Sequence, residues 1–282
     1  MKTAFVFPGQ GSQFVGMGKD LPNQEIFDQA NNVLGFDLKQ LCLNGPEDAL
    51  KLTQNAQPAI FTVSYMQFKL QEVQPDIVAG HSLGEYTALC AAGVLDFETA
   101  LTLIRVRGQL MEKAVPAGQG TMAAILGMDQ ESLKKVCDSV DGKAQIANYN
   151  SPGQIVISGT TDAIKKCCIL ISDTYGKKAI PLPVSGPFHS QLMKPAAEQF
   201  RDYLDKAPFN EPKIPIIMNV TADYLTSASL TKELLVKQLY SSVLWQQSIE
   251  KMLTAGVVTF TEIGPGKVLS GLINKIKKEW SK

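Results

Sequence analysis

An apolar strand pattern runs straight into a small-residue helix pattern through only five residues, G-H-S-L-G, in the stretch DIVAGHSLGEYTALCAAG at 76–93. This is the G-x-S-x-G form in the setting that a nucleophile elbow needs. A strand-to-helix turn this sharp strains the backbone of its central serine. Glycines at 80 and 84 remove the side chains that would clash, and Ser82 projects at the helix N-terminus.

The rest of the chain has the same grammar. TAFVF near the start reads as a strand, with helical patterns at about 24–34 and 57–73, a helix opening at Gly84 and another at about 96–114. Strand and helix signals in alternation argue for an α/β core built on a parallel sheet. From Thr121 the pattern changes. TMAAIL, AQIANYN, QIVISG and KKAIPLPV read as strands, and two amphipathic helices fall between them, at 129–140 and at 161–176. The first has Leu133, Val136, Cys137 and Val140 at helical spacing. The second is opened by Thr161 or Asp162 and stopped by Gly176. The order β-α-β-β-α-β is that of a ferredoxin-like unit. Core-type strands resume with IPIIMNV and VVTFTEIG. The expectation is an α/β, hydrolase-like parallel-sheet core formed by residues 1–118 and 188–282, with an inserted ferredoxin-like subdomain at 119–187.

Bulk properties narrow the function. With 45% hydrophobic and 19% charged residues over 282 positions, the chain can bury a substantial core. Lys+Arg and Asp+Glu are both 27, so no global field draws it to nucleic acid. Five cysteines with no C-x-x-C pair, each in an apolar context, read as reduced, buried thiols. Two histidines offer almost no material for a zinc site, so no metal is expected. No run approaches the length of a membrane span and the N-terminus has no signal-like apolar region, so a cytoplasmic, unanchored protein is expected.

A serine nucleophile needs a base, and histidine is the usual one. His81 adjoins Ser82, but neighbouring side chains diverge on a tight turn. That leaves His189, in VSGPFHS, where the chain re-enters the core. No motif marks the group that orients it. Arginine is informative because there are only three, Arg105, Arg107 and Arg201. On the helix ETALTLIRVRGQLMEK, Ala100, Leu103, Ile104, Leu110 and Met111 define an apolar arc with Arg107 at its middle and Arg105 opposite. An inward guanidinium must be paired. The partner is either a structural acid or a substrate carboxylate held by the guanidinium fork. The loop FPGQGSQ at 7–13 fits poorly as a nucleotide site, because Phe14 stands where a third glycine belongs and no Gly-Lys-Ser/Thr closes it.

FPGQGSQ, GHSLGEYTAL, RVRG, ANYNSPGQIVISG, VSGPFHS, KQLYSSVLW and EIGPGKVLSGL occur in that order, and together they resemble the malonyl-CoA:acyl-carrier-protein transacylases over essentially the whole chain. The resemblance implies Ser82 as nucleophile, His189 as its base and Arg107 as receptor of the malonyl carboxylate. It implies an oxyanion hole made by the backbone N–H groups of Gln10 and Leu83, and the Gln238 carbonyl as the group orienting His189. Gln57, Asn148 and Asn150 line up with cleft positions. Leu83 and Phe188 match malonyl-selective members, in which a bulky ring before the histidine crowds an α-methyl group. Ser242 departs from the family, which often has proline there.

The implied partners are malonyl-CoA and an acidic, phosphopantetheinylated acyl carrier protein, with Lys177, Lys178 and the C-terminal lysines as candidate contacts. No cofactor, nucleic acid or membrane is implied, and a monomer is expected. The implied reaction is ping-pong acyl transfer for fatty acid biosynthesis. Rival readings are the same chemistry serving a polyketide synthase, a serine acyl hydrolase, and a non-catalytic carrier-protein-binding module.

Overall fold

The computed structural model describes residues 1–281. Nine strands form two sheets: β1 (Lys2–Phe7), β2 (Ile77–Gly80), β3 (Gly120–Leu126), β4 (Ala144–Ser151), β5 (Gln154–Thr160), β6 (Lys178–Pro181), β7 (Ile216–Met218), β8 (Asp223–Tyr224) and β9 (Val257–Glu262). The first sheet has the order β8-β7-β2-β1-β9. β7, β2, β1 and β9 run parallel, and only the two-residue β8 is antiparallel at the edge.

Successive side chains on a strand point to opposite faces, and both faces of this sheet are buried. Phe5, Phe7, Val78, Ile216 and Met218 join the main apolar core, with the helices Thr53–Lys69, Gly84–Ala91 and Phe97–Lys113. Ala4, Val6, Ile77, Ala79 and Ile217 face the other way, onto the helices Trp245–Thr254 and Val268–Trp280. A sheet covered on both faces reads in sequence as short continuous apolar runs, which is why β1 and β2 were legible. Parallel pairing sets Phe7 beside Gly80 and brings the carboxyl ends of β1, β2 and β7 to one edge. Open α/β sheets bind their ligands beyond that edge.

The second sheet, of order β4-β5-β3-β6, is antiparallel throughout. Helices Gln130–Ser139 and Thr161–Tyr175 pack on one of its faces, with Ala123, Ile125, Ile155 and Ile157. The alternate residues Met122, Ala124 and Val156 pack into the main core. β4 is tied to the rest of the molecule by backbone: Tyr149 N–H donates to Val243 O at 2.9 Å and Val243 N–H to Ala147 O at 2.8 Å.

Several local expectations differ in detail. The helix expected from 57 begins at Thr53, one turn earlier, with Pro58 inside it. The proline's missing N–H frees the Gln54 carbonyl, and Arg105 Nη1 donates to that oxygen at 2.5 Å. Arg105 is therefore half-buried, with its guanidinium 4.9 Å from the Phe36 ring. The 161–176 helix is capped by Thr160, whose Oγ1 accepts from Ala163 N–H. The last strand of the second sheet is short, ending at Pro181. All five cysteines are free; Cys42, Cys137 and Cys167 are buried, while Cys90 and Cys168 are only half-buried. No helix among the described residues is long and apolar enough to cross a membrane.

Candidate active site

The elbow follows β2 directly. Ser82 has φ of 51°, a left-handed conformation that costs a non-glycine residue energy and needs support from its surroundings. The flanking glycines are a steric requirement. A Cβ on Gly80 would lie 1.9 Å from the Gly84 carbonyl, and one on Gly84 would lie 2.0 Å from Phe7 O. The support comes from Asn219, just past β7. Its Oδ1 accepts from Ser82 N–H at 2.7 Å and its Nδ2 donates to Gly80 O at 2.6 Å.

His189 arrives from the other side, also left-handed, with φ of 58°. Its Nε2 lies 2.7 Å from Ser82 Oγ and its Nδ1 lies 2.7 Å from the Gln238 carbonyl oxygen. A carbonyl can only accept, so Nδ1 carries the proton and the Nε2 lone pair faces the serine hydroxyl. Burial, reinforced by the nearby Arg107 charge, pushes the imidazole pKa down to about 3. The ring is neutral at physiological pH, the form a general base must have. Ser242, where the family often has proline, donates through Oγ to Ile146 O at 2.6 Å and leaves the Gln238 carbonyl in place.

Arg107 is 1% exposed, as its place on the helical arc predicts. Nη1 donates to Gln57 Oε1 at 2.5 Å, and Nη2 donates to Gln238 Oε1 at 2.8 Å and to Ser82 Oγ at 3.2 Å. The guanidinium lies 5.7 Å from the Tyr86 ring centroid. No carboxylate among the described residues pairs with it directly, and its buried Nε has no acceptor. An unpaired donor on a buried charge beside a nucleophile calls for an acceptor.

Two residues that sequence reasoning missed complete the network. Glu85 is fully buried; its Oε1 accepts from Asn219 N–H at 2.6 Å and its Oε2 from Gln238 Nε2 at 2.5 Å. Burial raises its pKa above the ordinary carboxylate range, against the pull of those two donors and of Arg107. The available signal was a lone acid in the otherwise small and apolar GEYTALCAAG. For Asn219 it was a polar residue at the carboxyl end of a buried strand.

The loop Pro8–Gln13 lies against the elbow: a Cβ on Gly9 would sit 2.5 Å from His81 O. The Gln10 side chain is held through Oε1 by Thr53 Oγ1 at 2.6 Å, and Thr53 in turn accepts from Gln57 Nε2 at 2.9 Å. Leu83 stands at the N-cap of the helix Gly84–Ala91, where N–H groups have no intrahelical carbonyl to bond.

The remaining candidates are spread more widely. Asn150 Oδ1 lies 2.9 Å from His81 Nε2, so its contact is with the second histidine, whose ring meets Trp245 edge-on. Asn148 is buried and bridges to Val243 through backbone. Phe188 is buried in the main core beside Gly186. Lys177 and Lys178 are exposed, Lys277 donates to Val258 O, and Lys282 lies outside the described residues.

The acyl transferase domain family matches residues 4–280. The malonyl CoA-acyl carrier protein transacylase of Bacillus subtilis (strain 168) is 51% identical over 288 residues, covering 98% of this chain and 91% of that protein. An acyl carrier protein S-malonyltransferase from Vibrio cholerae superposes with a TM-score of 0.95 at 45% identity, covering 99% of this chain and 94% of the other. A malonyl-transacylase solved in complex with its type II PKS acyl-carrier protein gives a TM-score of 0.96 at 40% identity, with 99% and 94% covered.

Proposed function

This chain belongs to the acyl transferase domain family and, within it, to the malonyl-CoA:acyl-carrier-protein transacylases, and from that premise we propose how its own residues carry the transfer. His189 Nε2 takes the proton of Ser82 as Oγ attacks the thioester carbonyl of malonyl-CoA. Negative charge develops on that carbonyl oxygen, and the backbone N–H groups of Gln10 and Leu83 stabilise it there. Collapse breaks the C–S bond, and the departing sulfur of coenzyme A takes the proton from His189, leaving malonyl-Ser82. In the second half the phosphopantetheine thiol of acyl carrier protein gives its proton to the same nitrogen and attacks the ester. Ser82 leaves with that proton, and the malonyl thioester is on the carrier.

The observation that carries this reading is the buried Arg107 beside a Ser82–His189–Gln238 relay, its Nε–H without an acceptor. A serine hydrolase of neutral esters has no use for a buried cation there. Gln57 and Gln238 aim the guanidinium at the malonyl carboxylate. Asn148, Asn150 and Phe188 belong to the cleft wall by position. The strand order β4-β5-β3-β6, with one helix after β3 and one after β5, supports a ferredoxin-like subdomain at 119–187 inserted into a hydrolase-like core.

The protein acts in the cytoplasm as a monomer and supplies fatty acid synthesis. The relative bound to a polyketide synthase carrier favours a second reading, in which the same transfer serves such a synthase. Incubation with labelled malonyl-CoA followed by intact-protein mass measurement tests the proposal. One malonyl group should be added to the wild type and none to Ser82→Ala; an adduct persisting in Ser82→Ala overturns the assignment.

A further inference from the structure

We infer that Glu85 is a positioning residue whose carboxyl group, acting through Gln238 and Asn219, holds the malonyl-binding guanidinium, the base and the nucleophile in register. The inference rests on the transfer proposed above and adds a residue to it. Glu85 is fully buried, so it touches no substrate.

The Gln238 amide is held in one orientation. Its Nε2 donates to Ser82 O at 2.9 Å and to Glu85 Oε2 at 2.5 Å, while its Oε1 accepts from Arg107 Nη2 at 2.8 Å. Arg107 can only donate and a carbonyl can only accept. Both Nε2 hydrogens therefore need acceptors, and Glu85 is the second one. Replace that acceptor by a donor and the amide is driven to turn over, setting its NH2 group against the guanidinium and its oxygen against Ser82 O.

The other Glu85 oxygen is fixed by Asn219 N–H at 2.6 Å, and the Asn219 side chain bonds both Ser82 N–H and Gly80 O. The backbone carbonyl of Gln238 is the one that His189 Nδ1 bonds. One carboxyl group thus reaches all three catalytic elements at one remove.

The test compares Glu85→Gln, which keeps size and loses an acceptor, with Glu85→Asp, which loses length and keeps both acceptors. kcat/KM is measured for malonyl-CoA and for acetyl-CoA, with Tm alongside. Loss of a positioned hydrogen bond to a charged group is worth roughly a 10- to 100-fold change. Glu85→Gln should lower the malonyl/acetyl ratio by about that factor, and Glu85→Asp should lower it less. A packing role orders the two variants the other way and lowers both substrates alike; either result overturns the inference.

Gln238→Met, which keeps the backbone carbonyl, provides a second route if Glu85→Gln folds poorly. It should show the same malonyl-specific loss. Adding Glu85→Gln to it should change the ratio no further, because the two residues act in series. Full additivity, or an unchanged ratio in Gln238→Met, also overturns the inference. Absence of a malonyl-serine adduct in the wild type would instead defeat the transfer reading itself.

Discussion

The two sheets are built from similar apolar side chains, yet they treat polar groups differently. Among the described residues, the three non-glycine residues with positive φ, Ser82, His189 and Ala222, all lie outside 119–187. So do the buried Gln57, Glu85, Arg107, His189, Asn219 and Gln238. The antiparallel unit buries Asn148, Ser151 and Ser158 but no charged side chain, and its helix Gln130–Ser139 carries the exposed i,i+4 ion pairs Lys134–Asp138 and Lys135–Glu131. Its side chains reach the site through Asn150 on His81 and through Gln145 Nε2, which donates to the His189 carbonyl at 3.1 Å. Strained backbone and buried charge are costly, and the larger core, gripped by helices on both faces of a parallel sheet, is where they are tolerated. The side-chain bonds to Ser82 come from His189, Arg107, Asn219 and Gln238, all outside 119–187.

The largest effect expected on the parallel-sheet side is that of His189→Ala. It should slow acylation of Ser82 by about 10²–10⁴, the usual worth of general-base help. His81→Ala, on the side facing the antiparallel unit, should cost far less. If the two losses are reversed, the contrast between the sheets breaks at its centre. The same histidine gives a pH expectation. Its pKa is about 3 in the fold and near 6.5 when unfolded. Between those values the unfolded chain binds more protons, so its contribution to stability is full above about 6.5 and is lost as pH falls toward 3. The acid limb of kcat/KM for malonyl-CoA should accordingly lie well below 6.5. A limb at an ordinary histidine pKa would show that Arg107 and burial do not act on the ring as described.

Arg107→Ala comes next. It should lower the malonyl/acetyl ratio in kcat/KM by about 30-fold to several-thousand-fold, the range for a charge pair whose partner is left unmatched. Arg107→Lys should restore only part, since a point charge lacks the fork. An unchanged ratio with a collapsed Tm would make Arg107 a core group, and the parallel-sheet end would lose its claim to substrate recognition.

The smallest effect belongs to the antiparallel unit. Asn150→Ala removes the acceptor for His81 Nε2 and should cost about 0.5–1.5 kcal/mol of stability, read from denaturant midpoints. Transfer rates should change a few-fold at most. A loss comparable to that of His189→Ala would mean that the antiparallel unit takes part in the chemistry, and the division drawn above would fail.

What the sequence determined by itself is whatever depends on neighbours along the chain. The elbow was legible because a strand, two glycines and a serine within five residues leave little conformational choice. Arg107 was legible because helical periodicity alone turns it inward among Leu103, Ile104 and Met111. The alternation of strands and helices along the chain followed from patterns of period 2 and 3.6. The pairing of groups distant in sequence could not be read that way. His189 is brought 107 positions back to Ser82, Gln238 is brought to Glu85 across 153, and Asn219 reaches Ser82 across 137. The Gln238 carbonyl was named through family resemblance, and no local pattern marks its side chain as the link between Glu85 and Arg107. Glu85 has the sequence appearance of an ordinary acid in the first turn of a helix, where such residues are favoured by the macrodipole. Its burial, and the amide that it holds, were decided only when β7 and the helix Ala228–Gln238 closed over the elbow. A buried hydrogen-bond network is a property of packing, and no residue in it carries its partners' identities in its own neighbourhood.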